Sequence, residues 1–326
     1  MPRVPSPAVA PDRRLQARLR GRHLALVVAL DAHRSLRRAA AEIAVTQPAA
    51  TKLLQDLEDA LGAPLFERHA WGMSPTPYGD TLVRYARGML NDLAHARDDI
   101  AAQRDGALGS LRVGGVTGAV PRFLAPAIGT LRAAHPRVRV YALVNTGEVL
   151  VGALRRGELD VAVTPRPPDD ELDGLDTQAL ADEPLTIVAR AGHPAARRRP
   201  AALAALNRLP WIVPPAGSPL RRDFDALHAA AGLRPPADLI ETVSIVATLA
   251  LLQTSDAVSL LPEGLARHYE APGLVARLAV PLPGAGTRYE VMTRASRTLA
   301  PAAQAFVAAL AAIATTRAPA PRTARR

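Results

Sequence analysis

Hydrophobic spacing changes near Gly109, and this divides the chain before any single residue is weighed. From Leu19 to Gln103 apolar residues recur at helical intervals, with hardly a strand signal. Beyond that point the short runs LRVGGV, VRVYALV, LDVAVT, LTIVAR and AVSLL alternate with Ala- and Leu-rich helical runs. The alternation predicts βαβ units and a mostly parallel sheet. An all-α head is expected to precede an α/β body, joined through the polar, glycine-bearing AAQRDGALGS. At 326 residues the chain has room for two or three domains. The charged, proline-rich stretches TPRPPDDELDG and GHPAARRRPAA flank PLTIVAR, and are where the body would cross from one lobe to another.

The formal net charge of +10 is carried almost wholly by arginine, with Lys52 the only lysine. It makes polyanions the first partner class, nucleic acid ahead of an anionic membrane surface. An Arg/Ala/Pro-rich chain also reflects a GC-rich genome's codon usage, so charge alone decides nothing. There is no cysteine, which excludes disulfides and thiolate metal sites and fits a reducing cytoplasm. Residues 1–18 are basic but lack the apolar run of a signal peptide, and read as a disordered extension; the Pro/Arg-rich 317–326 reads as a fraying tail. The uncharged stretch Thr298 to Thr316 is Ala-rich with Thr and Gln, a buried or amphipathic terminal helix rather than a membrane span.

Within the head, Ser35 is a plausible N-cap for LRRAAAEIA, and Thr46 for a second helix with Pro48 in its first turn. Only Ala44 and Val45 separate the two, too few for anything but a tight turn. Ala39, Ala40, Ile43 and Val45 then face Ala50, Leu53 and Leu57, the small-residue crossing of a helix-turn-helix. With Ala50, Leu53, Leu54, Leu57 and Leu61 buried, the outward positions of VTQPAATKLLQDLE are Gln47, Pro48, Thr51, Lys52 and Gln55. Thr46 and the helix N-terminus add an attraction for phosphate, while Asp56, Glu58 and Asp59 at the far end would be repelled by it. The pattern predicts entry into a DNA major groove by the N-terminal half, with Arg37 of the preceding helix counted among the DNA-binding positions. Taken alone the helix fits a bundle equally well.

The following segment shifts that balance. LGAPLFERHAWGMSPTPYG offers Leu65 and Phe66 to pack under the helices, then Arg68, His69 and Trp71 before a glycine turn. It reads as a wing, with Arg68 on a phosphate or in the minor groove; an ion pair of Arg68 with Glu67 or Asp80 is the alternative. From Tyr78 to Ile100, Leu82, Ala86, Met89, Leu93, Ala96 and Ile100 form a heptad seam, expected to pair with a second copy or else pack on the chain's own body.

The run SLRRAAAEIAVTQPAATKLLQDLEDALGAPLFERHAWGMSPTPYGDTL resembles the N-terminal domain of LysR-type transcriptional regulators. The likeness extends from about Leu19 to the last helix near Ala314. It implies a winged helix-turn-helix at 19–77, a linker and dimerisation helix at 78–105, and an effector-binding domain of two α/β lobes at 109–316, similar to periplasmic solute-binding proteins. By the same resemblance, Gln47, Pro48, Thr51 and Lys52 match base- and phosphate-contacting positions, while Phe66 and Arg68 match the start of the wing. The implied partners are a promoter operator in double-stranded DNA, a small-molecule effector, the chain itself as homodimer or homotetramer, and RNA polymerase. Arg34 departs from the family at a position usually held by glycine, which demands a left-handed conformation or a different cap. His69 and Trp71 occupy wing positions that are more often basic or small.

In the body, histidines 135, 193, 228 and 268 lack metal-site spacing, GAGT near Gly284 lacks a dinucleotide-loop context, and no GxSxG elbow occurs. The acidic run Asp169, Asp170 and Glu171 reads as a solvated loop. No enzymatic activity, cofactor or metal is therefore expected. Strand ends that lead into helix starts do offer ligand-binding geometry: Val116, Thr117 and Gly118, then Thr146, then Thr242 and Ser244. Each taken singly is a simple cap, whereas convergence of three on one crevice would make a pocket. The resemblance adds Pro165, Pro214 and Ser218 near the crossover strands. A transport solute-binding protein would share this body but not the head; an architectural DNA-binding protein would share the head and have no use for the body.

Overall fold

The computed structural model describes residues 19–104, 108–168, 172–197, 202–282, 284, 286–295 and 297–316. The segments 1–18 and 317–326 and the acidic run Asp169, Asp170 and Glu171 lie outside the described residues. The chain forms two compact units. One runs to Asp98 and takes in Arg155–Glu158; the other comprises Asp99–Leu154 and the chain from Leu159 onward.

In the first unit, α1 (Gly21–His33) buries Leu26, Val27, Ala29 and Leu30 and ends at Arg34, which takes the left-handed conformation at φ 52°. Of the two ways of ending this helix without glycine, the strained one is adopted, at a cost of about 1 kcal/mol. The Arg34 guanidinium reaches Asp31 at 3.0 Å, and Arg87 meets the same carboxylate at 2.6 Å. Helix α2 (Leu36–Glu42) starts on the Ser35 hydroxyl, which accepts from the Arg38 amide. It closes with Ala44 at φ 55° and the Val45 amide donating to Ala40, a Schellman ending that turns the chain within two residues. Thr46 caps α3 (Gln47–Leu61), and Gly62 ends it at φ 68°. Ala39, Ala40 and Ala50 are almost wholly buried at the α2–α3 crossing, with Leu54 and Leu57 beside them and Leu53 and Leu61 partly covered.

Strands β1 (Phe66–His69) and β2 (Gly72–Pro75) pair antiparallel around the turn Ala70–Trp71, and Leu65 and Phe66 are buried as expected. Helix α4 (Pro77–Arg104) follows. Its cap is Thr76, whose hydroxyl accepts from the Gly79 amide and donates to Pro64. Of the heptad seam, Ala86 is buried and Leu82 partly so, whereas Met89, Leu93 and Ile100 are exposed.

The second unit holds a sheet of β3 (Ser110–Gly115), β4 (Arg139–Val144), β5 (Val161–Pro165), β6 (Leu175–Arg190), β7 (Trp211–Val213), β8 (Leu239–Glu241), β9 (Val258–Pro262), β10 (Val275–Arg277) and β11 (Gly286–Arg294). Their order is β4-β3-β5-β11-β6-β9-β7-β8, with β10 beside β6. The sheet is mixed, a correction to the mostly parallel expectation. The outer pairs of each lobe are parallel, but β5–β11, β11–β6 and β6–β9 are antiparallel. The reason is that β6 and β11 both cross between the lobes, in opposite directions. The Leu175 end of β6 pairs with β11 and its Leu185–Ala189 portion with β9, while β6 bulges at Leu180, opposite the Tyr289–Glu290 step of β11. One lobe therefore includes PLTIVAR itself as half of a crossing strand, rather than as a strand between two crossings.

Helices α5 (Ala125–Ala134), α6 (Gly147–Arg155) and α11 (Pro301–Thr316) cover the first lobe, whose core includes Phe123, Leu131, Leu150, Phe306 and Leu310. The second lobe carries α7 (Leu203–Leu206), α8 (Pro219–Ala230), α9 (Ile245–Thr254) and α10 (Glu263–Glu270) around Trp211, Phe224, Leu252 and Leu260. Helix α11 matches the expectation of a terminal helix with one buried face, and no helix among the described residues is long and apolar enough to cross a membrane.

Two glycines set a test of this packing. A side-chain carbon at Gly79 would fall on the Leu65 carbonyl oxygen, while one at Gly129, on α5, would meet nothing within 4 Å. Gly79→Ala should lower stability by ~1–3 kcal/mol through forced backbone shifts, and Gly129→Ala should raise it by ~0.4–1 kcal/mol. Urea denaturation of the two variants checks this; equal effects would contradict the packing described.

Candidate nucleic-acid interface and ligand cleft

The N-terminal half of α3 presents Thr46, Gln47, Pro48, Lys52 and Gln55 to solvent, and Arg37 is exposed on α2. Thr51 is half-buried, its hydroxyl donating to the Gln47 carbonyl at 3.1 Å, so its lone pairs and methyl remain for a partner. Arg68 is exposed on β1 and pairs with neither Glu67 nor Asp80 among the described residues; Glu67 lies 3.9 Å from His69 instead. Neutral donors and acceptors and one cation, Lys52, thus share the exposed first half of α3, which suits base edges flanked by phosphates.

The acidic end of α3 is less simple than its sequence suggests. Asp56 and Asp59 are exposed, but the Glu58 carboxylate turns inward and accepts from the Leu65 and Phe66 amides at 2.7 and 3.3 Å. It satisfies the first donors of the wing rather than repelling a phosphate, so the charge asymmetry of the helix rests on the two aspartates.

In the second unit a cleft of about 340 Å³ lies between the lobes. Val116, Thr117 and Gly118 reach it from the turn after β3, Thr146 from the start of α6, and Pro165 from the end of β5. Pro214 and Ser218 face them from the segment between β7 and α8. Ser244 is the exception among the expected positions. It does not line the cleft, and its hydroxyl accepts from the Ala247 amide as the cap of α9. Its neighbour Thr242 does line the cleft.

Many lining hydroxyls are already committed. Ser218 donates to Pro215, Thr248 to Ser244 and Ser259 to Ile212. Thr117, Thr146 and Thr164 have no side-chain hydrogen-bond partner among the described residues. Tyr289 is buried on β11 against Phe123, and burial pushes its hydroxyl well above the ordinary tyrosine range, so it stays a donor. No Asp, Glu, Lys, Arg or His side chain lines the cleft among the described residues. The cleft can therefore grip a small molecule with hydroxyls, backbone amides at strand-to-helix turns and apolar walls.

Charge is present at the crossings beside the cleft. Glu183 on β6 is buried, pairs with Arg122 from the segment before α5, and accepts from the Gly264 amide at the start of α10. On β11 the buried Glu290 pairs with Arg166 at 3.2 Å. Sequence reasoning missed Thr164, Thr287 and Tyr289. The available signal was the strand-like run TRYEVMTR late in the body.

Residues 104–314 match the family described as "LysR substrate binding domain", and residues 21–80 match "Bacterial regulatory helix-turn-helix protein, lysR family". The chain is 38% identical over 304 residues to the HTH-type transcriptional regulator GbpR of Azospirillum brasilense, covering 93% of this chain and 89% of that one. It is 30% identical to the HTH-type transcriptional regulator GalR of Pseudomonas putida, covering 89% of this chain and 72% of the relative. Among solved structures it resembles full-length OxyR from Pseudomonas aeruginosa, with a TM-score of 0.64 at 24% identity over 91% of this chain and 94% of that one. It also resembles full-length CbnR in complex with its target DNA, with a TM-score of 0.64 at 23% identity over 90% of this chain and 100% of that one. At these identities the structural likeness speaks for the fold.

Asp223, on α8, accepts from the Thr287 hydroxyl at 3.3 Å. Burial raises its carboxyl above the ordinary aspartate range, against the pull of Thr287 and Arg222. The folded protein holds this proton where the unfolded chain has lost it, so its contribution to stability is lost as pH rises through the raised value. Asp223→Asn should flatten the stability–pH curve just above the ordinary aspartate value. Denaturation across that range checks this, and an unaltered slope would contradict it.

Proposed function

The chain belongs to the LysR family of DNA-binding transcriptional regulators, and we propose that it reads its operator with the N-terminal half of α3 and answers to a small effector held between its two lobes. The observation that carries this is the division of α3 itself. Its buried stripe is apolar, its exposed first half is neutral and polar with the chain's only lysine, and its acids stand at the far end.

In this reading 19–77 is the DNA-binding head, with Arg37, Thr46, Gln47, Pro48, Thr51, Lys52, Gln55 and Arg68 as its contacts. Residues 78–105 form the linker helix and 109–316 the effector-binding domain. The exposed Met89, Leu93 and Ile100 support pairing of linker helices from two copies, which would place two heads on a site with two-fold symmetry. Relatives and structural neighbours are regulators, one of them solved on its target DNA, which supports a regulatory rather than catalytic role in the cytoplasm. Val116, Thr117, Gly118, Thr146, Pro165, Pro214 and Ser218 hold the effector. An effector shifts the arrangement of the heads only by its differential affinity for two lobe settings, and through them the access of RNA polymerase.

Lys52→Ala should weaken binding to a duplex selected from a random-core library and reduce the salt slope by about 1, the signature of one lost phosphate contact. Thr51→Ala should weaken it about tenfold with the slope kept. Gel shifts unaltered by both changes would defeat the assignment. Thr146→Val should keep DNA binding and remove the thermal stabilisation that a hit from a metabolite panel gives the unmodified protein; an equal shift in the variant would take Thr146 out of the site. Leu93→Glu with Met89→Glu should lower the sedimenting mass, and an unchanged mass would contradict pairing through this seam.

A further inference from the structure

Trp71 is left unused by the contacts assigned so far. It stands in the turn between β1 and β2 with 83% of its surface exposed, whereas the other tryptophan, Trp211, is fully buried. An indole in water forgoes one of the largest apolar burial gains open to a side chain, so a chain that holds one there invites the question of what covers it.

The indole is held, not loose. His69 stacks on one face, with ring centroids 5.2 Å apart and planes 11° from parallel. The next residue, Gly72, has φ 140°, and a side-chain carbon there would lie 2.5 Å from the Arg34 carbonyl oxygen. The Met73 amide donates to that same carbonyl at 2.9 Å. The start of β2 is thereby fastened to the end of α1, and the turn bearing Trp71 cannot swing independently of the helices. A large ring on a fixed mount, with an imidazole offset-stacked on one face and most of its surface open, has less conformational freedom to lose on contact than a ring on a free loop. On the same hairpin Arg68 stands exposed, ready for a phosphate.

We propose that Trp71 is an apolar wedge that enters the minor groove beside the stretch of major groove read by α3, with Arg68 on the adjacent backbone. This rests on the assignment of α3 to the DNA. The minor groove is walled by sugars and base edges, and apolar side chains pressed into it partly unstack a base step and bend the duplex. Such a step is easiest to open where a pyrimidine precedes a purine, so Trp71 supplies preference for flanking sequence through deformability rather than through hydrogen bonds. Because the indole is neutral, it adds affinity without releasing counterions, which separates its signature from that of Arg68 or Lys52.

The test uses the full chain and a duplex that the unmodified protein has selected from a random-core library. Trp211 is shielded, so the tryptophan emission open to acrylamide is that of Trp71. Saturating duplex should protect that emission. Trp71→Ala should weaken binding about tenfold with the salt slope kept, and should reduce the bend measured by phased gel mobility; Trp71→Phe should restore most of both. Unchanged quenching with duplex bound, or wild-type affinity and bend in Trp71→Ala, would overturn the proposal. So would a change in sedimenting mass without a change in affinity, which would assign the ring to a protein contact. If Lys52→Ala still weakens binding in that case, the α3 assignment survives; if neither variant differs from the unmodified protein, both fall.

Discussion

The geometry of the head is set where backbones meet with no side chains between them. The Met73 amide bonds the Arg34 carbonyl over Gly72, and the Thr76 amide bonds the Leu65 carbonyl over Gly79. These two contacts tie the wing to the end of α1 and the linker helix to the end of the recognition segment. Because they are main-chain contacts, any side chain at either glycine displaces the elements themselves. The strain at Arg34 and Ala44, each left-handed without being glycine, lies at the two ends of α2. Each costs about 1 kcal/mol and is offset by the alanine crossing that lets α2 and α3 approach closely.

The second unit answers a different demand, that two lobes share one sheet and keep a cleft between them. Strands β6 and β11 run through both lobes, and each carries a buried glutamate paired with an arginine of the first lobe. Removing one partner of such a pair leaves a charge buried alone, so each pair is costly to break even where it adds little net stability. Among the described residues the cleft walls carry no charged side chain and present hydroxyls and amides at strand-to-helix turns.

Legibility from sequence followed the range of the interactions. Ser35, Thr46 and Pro48 act within a few residues of themselves, and their caps are where the sequence puts them. The buried stripe of α3 was equally plain. The role of Glu58 is not legible along the helix because its partners, the Leu65 and Phe66 amides, lie beyond the helix's end. The lobe crossings were harder still. Half of β6 reads as a strand, but the other half bulges at Leu180, and β11 pairs with residues more than a hundred positions away. Tyr289 and Thr287 therefore enter the cleft unannounced, and Ser244, a sound cap, looks like a ligand contact in sequence because capping and binding use the same residue types.

In the proposed complex α3 meets the duplex with its first half and holds its acidic end away. A photo-crosslinking residue placed in turn at Thr51 and at Asp59, both on this one helix, tests it most directly. Crosslinks to the selected duplex are expected from Thr51 and none from Asp59. Equal yields from the two positions, or crosslinks from Asp59 alone, would contradict it.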